Sequence, residues 1–249
     1  MAWINEIEEQ DADGELRTVY DELLKSRGKL ANILQVQSLN PGALKTHVDL
    51  YLHLMFAKAG LSRKEREAIA VVVSANNECA YCVNHHYEPL ARYEKDEQVL
   101  SNIRNADALD TLDDRLAGIL QHAAKLTTDP HQVSADDVQK LRDLRLSDRD
   151  ILDITLITAY FNFVNRIALG LGVTYSEEEI QGYESWARSL RNGGTPPFFN
   201  RDSSGIFRPA FLVKPGPVLR RGHVRELASS PPLPPGRPAR AYFLFSPRP

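Results

Sequence analysis

Four times this chain sets a serine three residues ahead of a carboxylate and then runs into an apolar-periodic segment: Ser62-x-x-Glu65, Ser134-x-x-Asp137, Ser147-x-x-Asp150 and Ser176-x-x-Glu179. At that spacing the hydroxyl accepts one orphan N–H of a helix start and the carboxylate reaches back to accept another. Asn40-Pro41 adds a fifth start, a cap residue followed by proline at the first helical position. A chain punctuated this way folds as helix after helix. The expected helices are 15–26, 41–58, 63–76, 79–93, 111–127, 135–145, 148–170 and 177–190, with a weaker one at 96–104. The segment 148–170 carries Ile151, Ile154, Ile157, Tyr160, Phe161 and Val164 on one broad helical face. Ala68–Val73 is apolar on all sides and rich in the residues that favour strands. The capped start at Ser62 and the charged turn 63–66 make it a buried helix instead.

The grammar changes after about Arg191. Twelve of the fifteen prolines lie beyond Gly194, and no period of 3.6 or 2 persists there. That stretch holds nine Lys/Arg against Asp202 and Glu226, a local +7 inside a chain of net −3, which leaves −10 for the body. The expected organisation is a helical domain at 1–191 and a Pro-rich, basic tail at 192–249 with low structure. A Pro-rich ligand for another domain, or an extension foreign to the fold, are the other readings of that tail. The whole chain has 43% hydrophobic and 25% charged residues, the balance of an ordinary packed protein. Its acidic N-terminus does not read as a signal peptide, and no apolar run approaches the roughly 18 residues that span a bilayer. The expectation is a cytoplasmic protein with no membrane and no nucleic-acid partner.

The chain has two cysteines, and both fall in one Cys79-x-x-Cys82, with His85 and His86 just behind. In a reducing compartment such a pair is catalytic or metal-binding rather than a structural staple. On a helix beginning near Cys79, the residues Cys79, Cys82 and His86 share a face, and the His86 imidazole lies one turn from the Cys82 thiol. Both thiols would sit in the first turn. There the positive end of the helix dipole lowers a thiol pKa from about 8.5 into a range of roughly 3.5–7.5. A thiolate attacks peroxide, and a second thiol one turn away condenses with the sulfenic acid before irreversible oxidation. Two alternatives remain: small buried cysteines without chemistry, and a metal site from Cys79, Cys82, His85 and His86. The metal site suffers because adjacent helical histidines diverge by about 100° and no second cysteine pair exists to complete a tetrahedron. No metal and no cofactor are expected. Tyr81 is either packing or a donor to peroxide or thiolate. Glu67, at the edge of an apolar run, is expected to be a buried carboxylate of raised pKa and hence a base. The polar residues Tyr160, Asn162, Asn165 and Arg166 within 148–170 need partners; the favoured expectation is local satisfaction with no part in catalysis, and the other reading is packing behind the active site or across a subunit interface.

Glu67, eleven residues, Cys79-x-x-Cys82, three residues and His86 form a pattern that resembles the AhpD-like alkylhydroperoxidases of the carboxymuconolactone decarboxylase superfamily. Leu30–Pro41, Ser62–Tyr93 and Leu146–Val173 resemble its peroxidase-related branch, and the similarity extends over about residues 1–190. The resemblance implies an all-α, oligomeric helical bundle. It implies Cys82 as the sulfur that becomes sulfenic acid, Cys79 as the proton source that then closes the disulfide, and Glu67 and His86 as the proton relay. Tyr81 stands where the family's best-known members carry histidine, and His85 is a candidate for the surrounding shell. The expected activity is a thiol-dependent peroxidase acting on hydrogen peroxide or organic hydroperoxides. A dithiol reductant of lipoamide or thioredoxin type would restore it, and the chain would work as a homo-oligomer. The alternatives are a general dithiol–disulfide oxidoreductase and a redox-responsive interaction protein that is not an enzyme. A decarboxylase is the weaker enzymatic reading.

Overall fold

Each expected cap from Asn40 to Ser147 is followed by a helix. The computed structural model describes residues 2–176, 179, 199–201 and 207–209. Among them lie α1 (Gly14–Arg27), α2 (Asn32–Gln35), α3 (Pro41–Phe56), α4 (Arg63–Asn76) and α5 (Ala80–Tyr93). They continue with α6 (Glu97–Asn105), α7 (Asp114–Thr128), α8 (Ala135–Asp143) and α9 (Asp148–Leu171). Across these residues the fold is an all-α helical bundle. Asn40 Oδ1 accepts the Ala43 N–H at 3.1 Å ahead of α3. At Ser62, Glu65 Oε2 takes the Ser62 N–H at 2.6 Å while Ser62 Oγ takes the Glu65 N–H at 3.2 Å. Reciprocal boxes also open α8 and α9. Each cap of this kind is worth about 1 kcal/mol.

The run that was ambiguous between strand and helix becomes the centre of the molecule. In α4, every side chain from Glu67 to Ser74 is fully buried, because α5, α7 and α9 pack around it and α3 and α6 close the remaining sides. A helix enclosed on all faces has no use for a polar stripe. A second apolar cluster joins Leu16, Tyr20 and Leu23 of α1 to Leu44, Val48 and Leu52 of α3.

α9 departs from one expectation. By length and composition it is apolar enough to cross a bilayer. It is instead a core helix: Ile154, Ile157, Phe161 and Asn165 are buried, and one face packs on α4 and α7. Buried Asp150 and Asp153 on the same helix fit a protein interior with partners rather than lipid. Leu152, Leu156 and Phe163 are about half exposed along its opposite side.

The chain divides into a unit at Met1–Leu212 and a second at Val213–Pro249. The second, the expected helix at 177–190 apart from Glu179, and the expected boundary near residue 191 lie outside the described residues. In the proline-rich stretch a short antiparallel pairing joins β1 (Phe199–Arg201) to β2 (Phe207–Pro209), with Asn200 opposite Arg208. Periodicity gave no sign of it, since three-residue strands are too short to show a period.

Candidate active site

The turn from α4 to α5 places the dithiol. Glu78 takes a left-handed φ of 55°, which folds the chain back so that the Cys79 N–H bonds the Ser74 carbonyl at 2.9 Å. A non-glycine residue in that region costs about 1–2 kcal/mol, so the tight turn is held by the packing around it. Cys79 becomes the N-cap of α5 and Cys82 its third residue. Both thiols are free and buried, with exposures of 1% and 2%.

The two sulfurs do not share one electrostatic fate. The Cys82 thiol donates toward Cys79, the Cys82 amide faces the same sulfur, and together with Asn165 and the charge of His85 they outweigh burial. They pull Cys79 down to about 7. Cys82 is pushed well up, because it supplies that hydrogen bond, is desolvated, and faces the charge of Cys79. The first proton to leave the reduced pair therefore leaves Cys79, while Cys82 keeps its own. The expectation that the helix start would activate both thiols is met at one of them.

Glu67 projects from α4, fully buried, between Arg63 and His86. Arg63 Nη2 lies 2.5 Å from Oε1 and His86 Nδ1 lies 2.7 Å from Oε2. Burial alone would raise its pKa, but Arg63 and His86 outweigh burial and hold it below the usual value. This corrects the expectation of a raised pKa. Glu67 stays a carboxylate at neutral pH, and its work is to fix the His86 tautomer. With Nδ1–H committed to the carboxylate, Nε2 keeps its lone pair and is the basic atom. The ring is held edge-on to Phe161, with centroids 4.6 Å apart. Arg63 is itself anchored on α3, where it donates to the Met55 carbonyl and stacks over Phe56 at 3.7 Å.

Asn165 enters from α9. Its amide donates to Ser74 Oγ at 3.0 Å and its carbonyl accepts from Asn77 at 2.9 Å. It also faces both cysteines and lowers both pKa values. The expectation of a purely local role fails here: a buried carboxamide on an apolar helix reaches across to the dithiol. Asn162 shares the Asn77 donor at 3.0 Å and donates to Thr127 at 3.1 Å, so it too reaches beyond its own helix, while Arg166 donates back to Asn162 at 2.9 Å and stays local.

Tyr81, between the cysteines, has its hydroxyl committed elsewhere. It accepts the Ile33 N–H at 3.1 Å and donates to Glu179 Oε1 at 2.8 Å. The open choice between packing and donation to a peroxide is resolved toward anchoring. His85 stacks on the Tyr81 ring at 4.1 Å. Glu179, expected to complete a capping box with Ser176, forms half of one: its N–H reaches Ser176 Oγ at 3.2 Å, while its carboxylate goes to the site. Arg63, Ser74, Asn77 and Glu179 were not singled out from the sequence. Only Glu179 carried a signal, and it pointed to a cap. Among the described residues no group of three or more His, Cys, Asp or Glu is arranged to hold a metal ion.

Residues 41–125 match the carboxymuconolactone decarboxylase family, a span that contains Glu67, both cysteines and His86. The fold is similar to the crystal structure of a peroxidase-related protein with an alkylhydroperoxidase AhpD core from Ralstonia eutropha JMP134. That similarity has a TM-score of 0.65 and 28% identity, over 73% of this chain and 96% of that one. In that segment and in its fold the chain is similar to the AhpD-like proteins of the carboxymuconolactone decarboxylase superfamily. A peroxidase-related protein from Silicibacter sp. TM1040 gives 0.63 and 28%, over 73% and 95%. The debrominase Bmp8, in complex with 2,3,4-tribromopyrrole, shares the AhpD-like fold at 0.58 with 17% identity, over 75% and 96%. No curated protein matches the sequence. For this AhpD-like chain the superfamily and the peroxidase-related neighbours fit an enzyme of the antioxidant, alkylhydroperoxidase-like class.

Proposed function

We propose that the protein is a thiol-dependent peroxidase that reduces hydrogen peroxide or an organic hydroperoxide through a Cys79–Cys82 dithiol–disulfide cycle. One observation carries the reading. Two free thiols stand at the head of α5, one of them drawn down to about 7, on the helix that also carries His86, whose Nδ1 lies 2.7 Å from the Glu67 carboxylate. In the proposed cycle the Cys82 proton leaves, either to the Cys79 thiolate or to the Nε2 lone pair of His86. The Cys82 thiolate attacks the peroxide ROOH, breaking the O–O bond to give Cys82–SOH, and the departing RO⁻ takes a proton to become ROH. The Cys79 thiolate then attacks the Cys82 sulfur, forming the S–S bond and breaking the S–O bond, and the departing hydroxide takes up one further proton to leave as water. Two thiols are oxidised and one peroxide is reduced. A dithiol of lipoamide or thioredoxin type reopens the bridge by exchange.

The burial of both sulfurs supports a small oxidant over a folded protein disulfide, and a slender reductant over a bulky one. The proposed setting is the cytoplasm, whose reducing poise keeps such a pair open, and the proposed working form is a homo-oligomer. A general dithiol–disulfide oxidoreductase is the second reading. The thiolate on Cys79 favours it, since the sulfur that is already ionised is the one poised for exchange. Peroxide consumption by wild type and by Cys82→Ser, with a lipoamide-type and a thioredoxin-type reductant in parallel, decides between them. The proposed peroxidase turns over repeatedly in wild type and not in the variant. A single oxidation without turnover, or turnover that survives the substitution, contradicts it.

A further inference from the structure

The outer side of α9 repeats with a period that its buried side does not need. Leu152, Leu156, Ala159, Phe163 and Arg166 are exposed along one line, spaced four, three, four and three residues apart. Exposed Arg149 and Gly170 continue the series at its two ends. A repeat of about 3.5 residues along a narrow line is the seam of two paired helices. A side that packs on a core is broader, and α9 already has one through Ile154, Ile157 and Phe161. On the outer line Leu152 is 51% exposed, Leu156 41% and Phe163 50%. His47 of α3 meets the Phe163 ring edge-on at 5.7 Å, so α3 borders the seam. Leu50, one turn further along α3, is 45% exposed.

We propose that a second copy of this chain covers the seam, its α9 running antiparallel to the first across a two-fold axis at Ala159. The inference deepens the proposed homo-oligomer by naming its face, and it rests on no step of the dithiol chemistry. Charge selects the direction. Parallel pairing would set Arg149 and Arg166 against their own copies, a repulsion between like charges. Antiparallel pairing sets Arg166 opposite Leu152 and Arg149 opposite Gly170. A Cβ on Gly170 would meet nothing within 4 Å, so the opposing arginine stem has room there. Arg149 already pairs with Asp153 at 3.0 Å, and Arg166 folds back on Asn162, so neither brings a bare charge into the contact. Ala159, the smallest side chain on the line, falls at the centre, where two axes pack closest when the side chains between them are small. The area also suffices. A half-exposed Leu or Phe offers on the order of 100 Å². Leu50, Leu152, Leu156, Phe163 and the 46% exposed Leu169 therefore bring roughly 1,000 Å² to the pair, the size at which an interface becomes specific. The other side of α9 carries Phe161 to the His86 ring and Asn165 to Ser74, so the pairing braces the helix that backs the site.

Light scattering on the full-length protein reads the assembly, and an engineered disulfide reads its register. Wild type should have an even multiple of the chain mass, and Leu156→Asp should halve it. Under mild oxidation Ala159→Cys should link two chains, with peptide mapping placing the bridge at position 159 in both. Facing Cα atoms on helix axes about 8–10 Å apart fall within disulfide reach. Leu152→Cys should not link, because seven residues on either side of the axis separate it from its own copy by about 21 Å. A mass unmoved by Leu156→Asp, no bridge through Ala159→Cys, or an equal yield through Leu152→Cys overturns the proposal. An oligomer that fails in one of these ways keeps the homo-oligomer on another face. A monomeric wild type removes both and leaves the seam to lipid or to residues 192–249. If Leu156→Asp does not fold, Ala159→Cys decides alone: a bridge at position 159 supports the proposal and its absence overturns it.

Discussion

At the scale of single residues, the site works by giving every buried polar atom a partner that also sets a protonation state. Glu67 was expected to be a base because buried carboxylates have raised pKa values. Arg63 and the hydrogen bond from His86 reverse that sign, and the base becomes the histidine it holds. Glu67→Gln should remain folded while slowing the thiol chemistry by roughly 10²–10⁴-fold, the usual worth of general-base assistance. A rate within a factor of two of wild type would make Glu67 a structural residue. Asn165→Ala should act on both stability and reactivity. It takes the Asn165 donor from Ser74 Oγ and one of two acceptors from Asn77, at a cost of about 1–3 kcal/mol for a buried group, and removes a donor that faces both sulfurs. The expected outcome is a lower melting temperature together with slower alkylation of Cys79 at neutral pH; unchanged alkylation would remove Asn165 from the site. Glu67, Cys79, Cys82 and His86 were legible through their spacing and the family pattern. Asn165 was visible as a polar residue on an apolar helix, but spacing cannot say which neighbour its carboxamide meets. Glu179 sits three residues after a serine, so local grammar made it a cap, and only the tertiary fold turns its carboxylate toward Tyr81 and His85.

At the scale of helices, the capping serines fixed the starts of α4, α8 and α9 to the residue, because a cap is a local interaction that the sequence spells out. The four-residue α2 was missed, since it has no side-chain cap and is too short to show a period. It still matters, because the Ile33 N–H of its first turn holds the Tyr81 hydroxyl. One contact ties two helix starts together. A methyl group on Gly60, in the turn before α4, would lie 1.9 Å from Asp150 Oδ1. Asp150 is held by the Ser147 N–H at 2.9 Å and the Ser147 hydroxyl at 2.6 Å in the box that opens α9. Gly60→Ala should therefore displace the Asp150 carboxylate and weaken that cap, destabilising the protein by about 1–2 kcal/mol. Chemical denaturation measures it; a stability within 0.3 kcal/mol or so of wild type, which is the scatter of neutral surface changes, would mean the box gives way without cost.

At the scale of the whole molecule, burial is both the means of assembly and a source of pH dependence. His122 on α7 is buried, and its Nδ1 has no hydrogen-bond partner among the described residues. Burial, outweighing the attraction of Asp137, lowers its pKa from the ordinary 6.5. A lowered histidine pKa means that the unfolded chain takes up a proton that the folded one refuses. That contribution to stability is fully present above pH 6.5 and is lost as the pH falls through the folded value. His122→Leu should flatten the stability profile on the acid side of that point, as read from melting temperatures against pH. An unchanged slope would assign the loss to other groups. The central claim concerns the dithiol, and mass spectrometry after thiol alkylation tests it most directly. One equivalent of hydrogen peroxide added to the reduced protein should remove both alkylatable thiols through an intramolecular Cys79–Cys82 disulfide, with no crosslinked chains. Two thiols that remain alkylatable, or a bridge that forms between chains instead, would contradict it.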